Sequence, residues 1–105
     1  NAEDPKTSMP SPGLITHYHR PGGLGIRVDD YIYTGYQVPP FYDSMISKII
    51  VSGINRDECI TRAKRALGET VVGGIQTNIE LHQKILADED FRKNSYDTNF
   101  LAKKC

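Results

Sequence analysis

The chain is poor in several features that would narrow its class at once. It has two cysteines in 105 residues, Cys59 and Cys105. That is too few, and too widely spaced, for a disulfide framework or a cysteine zinc cluster, so reduced thiols and a cytoplasmic setting are the expectation. Its charge has no excess of either sign: thirteen Lys and Arg balance thirteen Asp and Glu. No net field therefore draws it to nucleic acid or to an anionic membrane. No apolar stretch approaches the roughly 18 residues of a membrane-spanning helix, and no signal-like segment opens the chain, which points to a soluble, non-secreted protein. The first residue is Asn1 rather than Met, so the chain reads as one excised domain of a longer polypeptide. A domain of this size buries roughly 60 to 70 per cent of its unfolded surface, enough for one core.

The hydrophobic pattern divides the chain into a strand-rich half and a helical half. Pro5, Pro10 and Pro12 fix φ and withhold amide donors, which predicts an irregular connector over residues 1–12. The β-prone residues Leu14, Ile15, Thr16 and Tyr18 predict a strand over 14–19, and Pro21-Gly22-Gly23 turns the chain. Residues 25–28 read as the returning strand, with Asp29-Asp30 breaking it. Tyr31 to Tyr33 is a further short extended piece, Pro39-Pro40 bars a helix before Phe41, and the apolar run 45–51 predicts a well-buried strand. Beyond it, Asn55 followed by Glu58 is a capping-box signature, and Cys59, Ile60, Ala63, Ala66 and Leu67 recur at helical spacing, giving a helix over 56–67. Val71-Val72 is short and extended, and Gly73-Gly74 turns. Thr77 with Glu80 repeats the cap ahead of Ile79, Leu81, Ile85 and Leu86, so a second helix follows, then a helical turn near Asp88-Glu89-Asp90. Strands followed by helices make an α+β fold: a small antiparallel β-sheet, a rudimentary hybrid or barrel-sandwich type of motif, followed by two main helices.

Candidate chemistry is sparse. Arg27 carries a planar, permanently charged fork of donors suited to a carboxylate or an oxyanion. On the residues alone, pairing with Asp29, Asp30 or a neighbouring domain is the plain reading. Gly22, Gly23 and Gly25 follow neither phosphate-loop spacing and no helix comes after them, so they read as a tight β-turn. Asp43 and Ser44 read as turn or capping residues, since no histidine lies near them and neighbours on an extended chain face opposite ways. Lys48 suits a pairing with an acid. His17 and His19 share a strand face but lack a third ligand and read as surface residues, and His82 has no evident partner. Tyr31, Tyr33, Tyr36 and Tyr42 lack a basic stripe, so they belong to core and interface rather than to a base-stacking platform.

Several words of the sequence, in order, resemble one family. Asn1-Ala2-Glu3-Asp4-Pro5, Pro10-Ser11-Pro12-Gly13, Pro21-Gly22-Gly23 through Arg27, Tyr36-Gln37-Val38-Pro39-Pro40-Phe41-Tyr42-Asp43-Ser44-Met45-Ile46-Ser47-Lys48, Asn55-Arg56-Asp57 and Gly74-Ile75-Gln76-Thr77-Asn78 are similar to the C-terminal domain of biotin carboxylase. The resemblance covers residues 1–105 and implies an ATP-dependent ligase that carboxylates biotin on a carrier protein with bicarbonate. It implies that Arg27 is the catalytic residue and contacts both biotin and bicarbonate. ATP and Mg or Mn would be held by an ATP-grasp domain of the parent chain which, with the N-terminal domain, is absent from these residues, so the fragment alone is expected to be inactive. The partners implied are that ATP-grasp domain, the biotin carboxyl carrier protein, a second copy in a homodimer and a carboxyltransferase.

The opening residues are most similar to the separate-subunit type that serves acetyl-CoA carboxylase and fatty acid synthesis. Pyruvate and propionyl-CoA types remain alternatives, as does a domain serving mainly dimerisation and assembly through its apolar Met45 to Val51 region, and the strand and helix between Lys48 and Asp57 are the candidate dimer contact. A related carboxylate-amine ligase would not be expected to carry the Pro39 to Ser44 word. Three positions depart from the family pattern: Phe41 stands where tyrosine is common, Asp30 where serine or threonine is, and Gly73 where a polar residue often precedes Gly-Ile.

Overall fold

The computed structural model describes residues 1–40, 43–94, 97 and 99–101. Its elements are β1 (Gly13–Leu14), β2 (His17–His19), β3 (Ile26–Asp30), β4 (Gln37–Val38), β5 (Ser47–Val51), α1 (Arg56–Glu69), β6 (Val71–Gly73), α2 (Ile79–Ala87) and α3 (Glu89–Arg92). The α+β class and the antiparallel strands are as expected. Among the described residues the strands form three two-stranded antiparallel ribbons, β1 with β4, β2 with β6 and β3 with β5, so β6 returns to the sheet layer between the helices.

The strand expected over 14–19 is two strands. Ile15 leaves β1 to become fully buried, at 0% exposure, and its amide donates to the Tyr36 carbonyl while Thr16 donates to Gly73. The chain thereby exchanges one partner strand for another. The returning strand is also corrected: β3 runs on through Asp29 and Asp30 and pairs with β5, from Ile26 opposite Val51 to Asp30 opposite Ser47. Five consecutive ladder positions outweigh the weak strand propensity of aspartate. Tyr31 to Tyr33 lies outside any strand, although Ile32 enters the core. The run expected to be well buried is half-buried, because Lys48 and Ile50 alternate outward along β5.

One cluster of Ala2, Ile15, Ile32, Val38 and Ile46 forms the centre, with Tyr18, Tyr36, Val72 and Ile75 packed around it. Burying a side chain the size of isoleucine contributes about 1.5–3 kcal/mol, so this cluster holds the ribbons together without a continuous sheet. The lead-in over residues 1–12 is irregular, as its prolines require, yet it is anchored: Ala2 is 1% exposed and its amide donates to Ser44 at 2.7 Å.

α1 starts as its capping signature predicts. The Asn55 side-chain oxygen accepts from the Glu58 amide at 2.9 Å, and Glu58 accepts in turn from Ile54. Ile60, Ala66 and Leu67 form its buried stripe. The helix passes through Gly68 and ends at Thr70, whose amide reaches the Ala66 carbonyl, so Leu67 is not its end. Removing the cap by Asn55→Ala is expected to destabilise the domain by about 1 kcal/mol, read as a lower urea midpoint at unchanged slope. α2 begins differently from expectation. Asn78, not Thr77, occupies the cap position, and its side chain makes no cap bond. It is buried and turned toward the lead-in, where its oxygen accepts from the Asn1 ammonium at 2.9 Å and its amide nitrogen lies 3.4 Å from Glu3.

Candidate functional site: a forked arginine on an exposed strand

The loop before β3 is shaped by α1. Gly25 has φ +76, and a Cβ there would lie 2.5 Å from both the Ser52 carbonyl and Arg62 Nη1, so only glycine fits. Its carbonyl accepts from the Ser52 amide at 2.9 Å, while Arg62 donates to the Ser52 carbonyl at 2.7 Å and pairs with Glu58 at 2.6 Å. Arg65 stands behind Gly23, next to Glu69 at 3.8 Å. The first helix thus clamps both sides of the turn that launches β3.

Alternation along β3 then places Arg27 and Asp29 on its exposed face, with Ile50 and Lys48 of β5 directly opposite them. Arg27 Nε donates to Asp29 Oδ1 at 3.1 Å and Nη2 donates to Oδ2 at 3.0 Å. The Asp29 carboxylate raises the guanidinium pKa further through these hydrogen bonds, so the positive charge is permanent. The Arg27 side chain remains 73% exposed, and at such exposure the pair is an orienting contact rather than a source of stability. The fork to Asp29 engages Nε and Nη2 of the guanidinium. The pairing with Asp29 read from the residues alone is therefore present, and it orients the group that the resemblance singles out.

Other sequence candidates fall away from this face or play structural parts. Asp43 accepts from the Met45 amide at 3.0 Å as a turn residue, and the Ser44 hydroxyl donates to Glu3 at 3.1 Å. His17 and His19 lie exposed on β2, beside Thr16 and the Glu69 carbonyl. Tyr31 and Tyr33 both pack edge-on against Tyr36, with ring centroids 5.8 and 5.2 Å away. Phe41 and Tyr42 lie outside the described residues. Among the described residues no group of three or more His, Cys, Asp or Glu is disposed around a common metal position.

A cavity of about 650 Å³ lies between β5, α1 and α2 and does not include Arg27. His82 lines it. Burial, and secondarily the Asn1 ammonium, pushes the His82 pKa below its ordinary value, against a smaller opposing effect of Glu3. The unfolded chain therefore takes up this proton first, so the stability contribution is whole above about pH 6.5 and is lost as pH falls from there through the lower folded value. Urea unfolding at stepped pH from 7.5 to 5 is expected to show that loss, and His82→Gln to flatten it. Sequence reasoning gave His82 no partner because Asn1 and Glu3 meet it only through the fold.

Sequence reasoning also passed over Arg20, Asp30 and Tyr18. Arg20 Nε lies 3.0 Å from Asp30 Oδ2, Arg20 Nη2 donates to the Val28 carbonyl at 3.1 Å, and the Tyr18 hydroxyl donates to the same Asp30 oxygen. The one signal available was the departure of Asp30 from the family pattern.

The fold and this face define an α+β module with an exposed arginine fork on a strand, and comparison with known proteins places it in a family. A model described as the biotin carboxylase C-terminal domain matches residues 1–103, and the chain belongs to that family. The biotin carboxylase of Haemophilus influenzae is 55% identical over 104 residues, which are 99% of this chain and 23% of that protein. Biotin carboxylase 1 of Bacillus subtilis is 55% identical over 102 residues, 96% of this chain and 23% of that one. Among solved structures, the biotin carboxylase domain dimer of Hydrogenobacter thermophilus 2-oxoglutarate carboxylase, in complex with MgADP, ADP and bicarbonate, superposes with TM-score 0.94. It is 40% identical and covers 98% of this chain and 23% of that chain. The chain thus spans less than a quarter of the curated relatives described.

Proposed function

We propose that this domain forms the biotin- and bicarbonate-facing wall of an ATP-dependent biotin carboxylase, with Arg27 as its catalytic and substrate-binding residue. The exposed, forked guanidinium at the head of a clamped strand is the observation that carries this reading. For biotin to be carboxylated, its ureido nitrogen gives up a proton and attacks an activated carboxyl carbon, and negative charge develops on the ureido oxygen. A fixed, permanently charged donor stabilises that charge more in the transition state than in the ground state. Asp29 holds two of the guanidinium nitrogens in place, so little reorganisation accompanies the reaction. ATP and Mg or Mn belong to the ATP-grasp domain of the full-length chain, which activates bicarbonate there. The carrier protein brings biotin, and a carboxyltransferase takes the carboxyl group onward. Within the family we favour the type that serves acetyl-CoA carboxylase and fatty acid synthesis, on the resemblance of the opening residues, in a cytoplasmic enzyme. Biotin-dependent turnover of the full-length Arg27→Ala variant tests the reading.

An assembly role has its own observation. Ile54 is 91% exposed just beyond β5, a feature suited to a covered surface in a homodimer. Sedimentation of the full-length protein and of an Ile54→Glu variant separates the two readings. A dimer that dissociates yet keeps turnover leaves assembly as a separate property of the domain.

A further inference from the structure

The β3–β5 ribbon that carries Arg27 shares no ladder with β2–β6. A two-stranded ribbon is marginal by itself, so the pitch of β3 against the rest of the domain depends on what grips it from the side. On the α1 side the grip is the glycine turn. Away from that turn it is a cluster of three side chains. Arg20, the residue after β2, reaches back across its own loop and holds β3 at two points, the Asp30 carboxylate at 3.0 Å and the Val28 carbonyl at 3.1 Å. These contacts lie either side of Asp29, the residue that orients Arg27. Tyr18, in the middle of β2, donates to Asp30 from the neighbouring ribbon.

The Asp30 side chain is only 11% exposed, so its charge is not left to solvent and needs both donors. Burial first, and then Asp30, pushes the Tyr18 hydroxyl up to about 12, which keeps it protonated as a donor throughout the working range. An arginine suits position 20 because one planar fork satisfies a carboxylate and a carbonyl together, and a lysine has no such fork.

We propose that Arg20, Asp30 and Tyr18 form a brace that fixes β3 and so positions Arg27 for biotin carboxylation. This rests on the reading of Arg27 given above. The three act through Arg27 and are positioning residues. A displacement of about 1 Å at a reacting group lowers rates by up to a hundredfold, and the brace is the contact that couples β3 to β2.

The test uses the full-length carboxylase with Arg20→Lys, Arg20→Ala, Asp30→Asn and the double variant Arg20→Ala/Asp30→Asn, with Arg27→Ala in parallel. Rates are read well below each variant's melting temperature. In the brace variants kcat for biotin carboxylation is expected to fall about ten- to a hundredfold. KM for ATP and the slow biotin-independent ATP cleavage should be unchanged, and Arg20→Lys should fail to rescue. The double variant should be no slower than the worse single one, as expected when residues act as one unit. A cluster that is only structural would lower the melting temperature and leave kcat and KM for biotin at wild-type values in the folded enzyme. That result, beside an inactive Arg27→Ala, overturns the brace alone. Normal biotin carboxylation by Arg27→Ala overturns the reading beneath it. Arg20→Lys retains the charge and should fold, so a poorly folding Arg20→Ala does not stall the test.

Discussion

Replacing Arg27 with alanine in the full-length enzyme is expected to lower biotin carboxylation by about a hundred- to a thousandfold, the usual loss when one preorganised donor to a developing oxyanion is removed. The melting temperature should hardly move. Among the described residues the Arg27 guanidinium makes an exposed pair with its own strand neighbour Asp29, and such pairs contribute little. That combination, a large kinetic effect with a small thermodynamic one, separates a functional side chain from a structural one. Arg27→Lys is the finer comparison: the charge survives, but the fork that Asp29 holds does not, so recovery should be partial. Loss of an interaction made only in the transition state lowers kcat and kcat/KM together, and steady-state kinetics in biotin reads both.

Gly74→Ala is expected to have the largest effect on stability, about 3–5 kcal/mol, combining left-handed backbone strain with steric overlap. Gly74 has φ +96, and a Cβ there would sit 2.1 Å from the Leu14 carbonyl oxygen and 3.0 Å from the Thr16 amide. Both neighbours are backbone, and they flank the buried Ile15 at the point where the chain passes from one ribbon to the next, so neither can yield. Against a total of about 5–15 kcal/mol, such a loss leaves little of the domain folded. Gly73 is the internal comparison. Its added methyl would meet the Thr16 hydroxyl at 3.1 Å, a side-chain atom that can rotate away, so Gly73→Ala should be far milder. Urea unfolding of the two variants side by side measures the difference.

Most of what the sequence made legible was local. The Asn55 and Glu58 cap and the start of the helix depend on residues a few positions apart, and both appeared where expected, whereas the turn expected at Gly73-Gly74 begins only at Gly74, since Gly73 closes β6. What stayed hidden depended on partners far along the chain. Nothing in residues 14–19 reveals that Ile15 plunges into the core while Leu14 and His17 pair with strands from opposite ends of the domain. Asp29 and Asp30 looked like strand breakers because the five-position ladder with β5 is a long-range fact. Asn78 was missed as a cap because its buried side chain turns to Asn1 and Glu3, some 75 residues away in sequence. Arg27 could be singled out by its surrounding motif and Asp29 named among its partners, but not the grip on the strand that carries both. The roles of Arg62, Arg65 and Arg20 have no local signal, because only the fold brings them to the glycine turn and to β3.

The central claim is that Arg27 acts in the transfer of the carboxyl group to biotin. The most direct measurement is the ratio of biotin-dependent to biotin-independent ATP cleavage in the full-length protein, wild type against Arg27→Ala, at temperatures equally far below their melting points. The account predicts that ATP binding and the basal cleavage persist in the variant while stimulation by biotin disappears. Equal stimulation in the two proteins would contradict it and leave the domain with an assembly role.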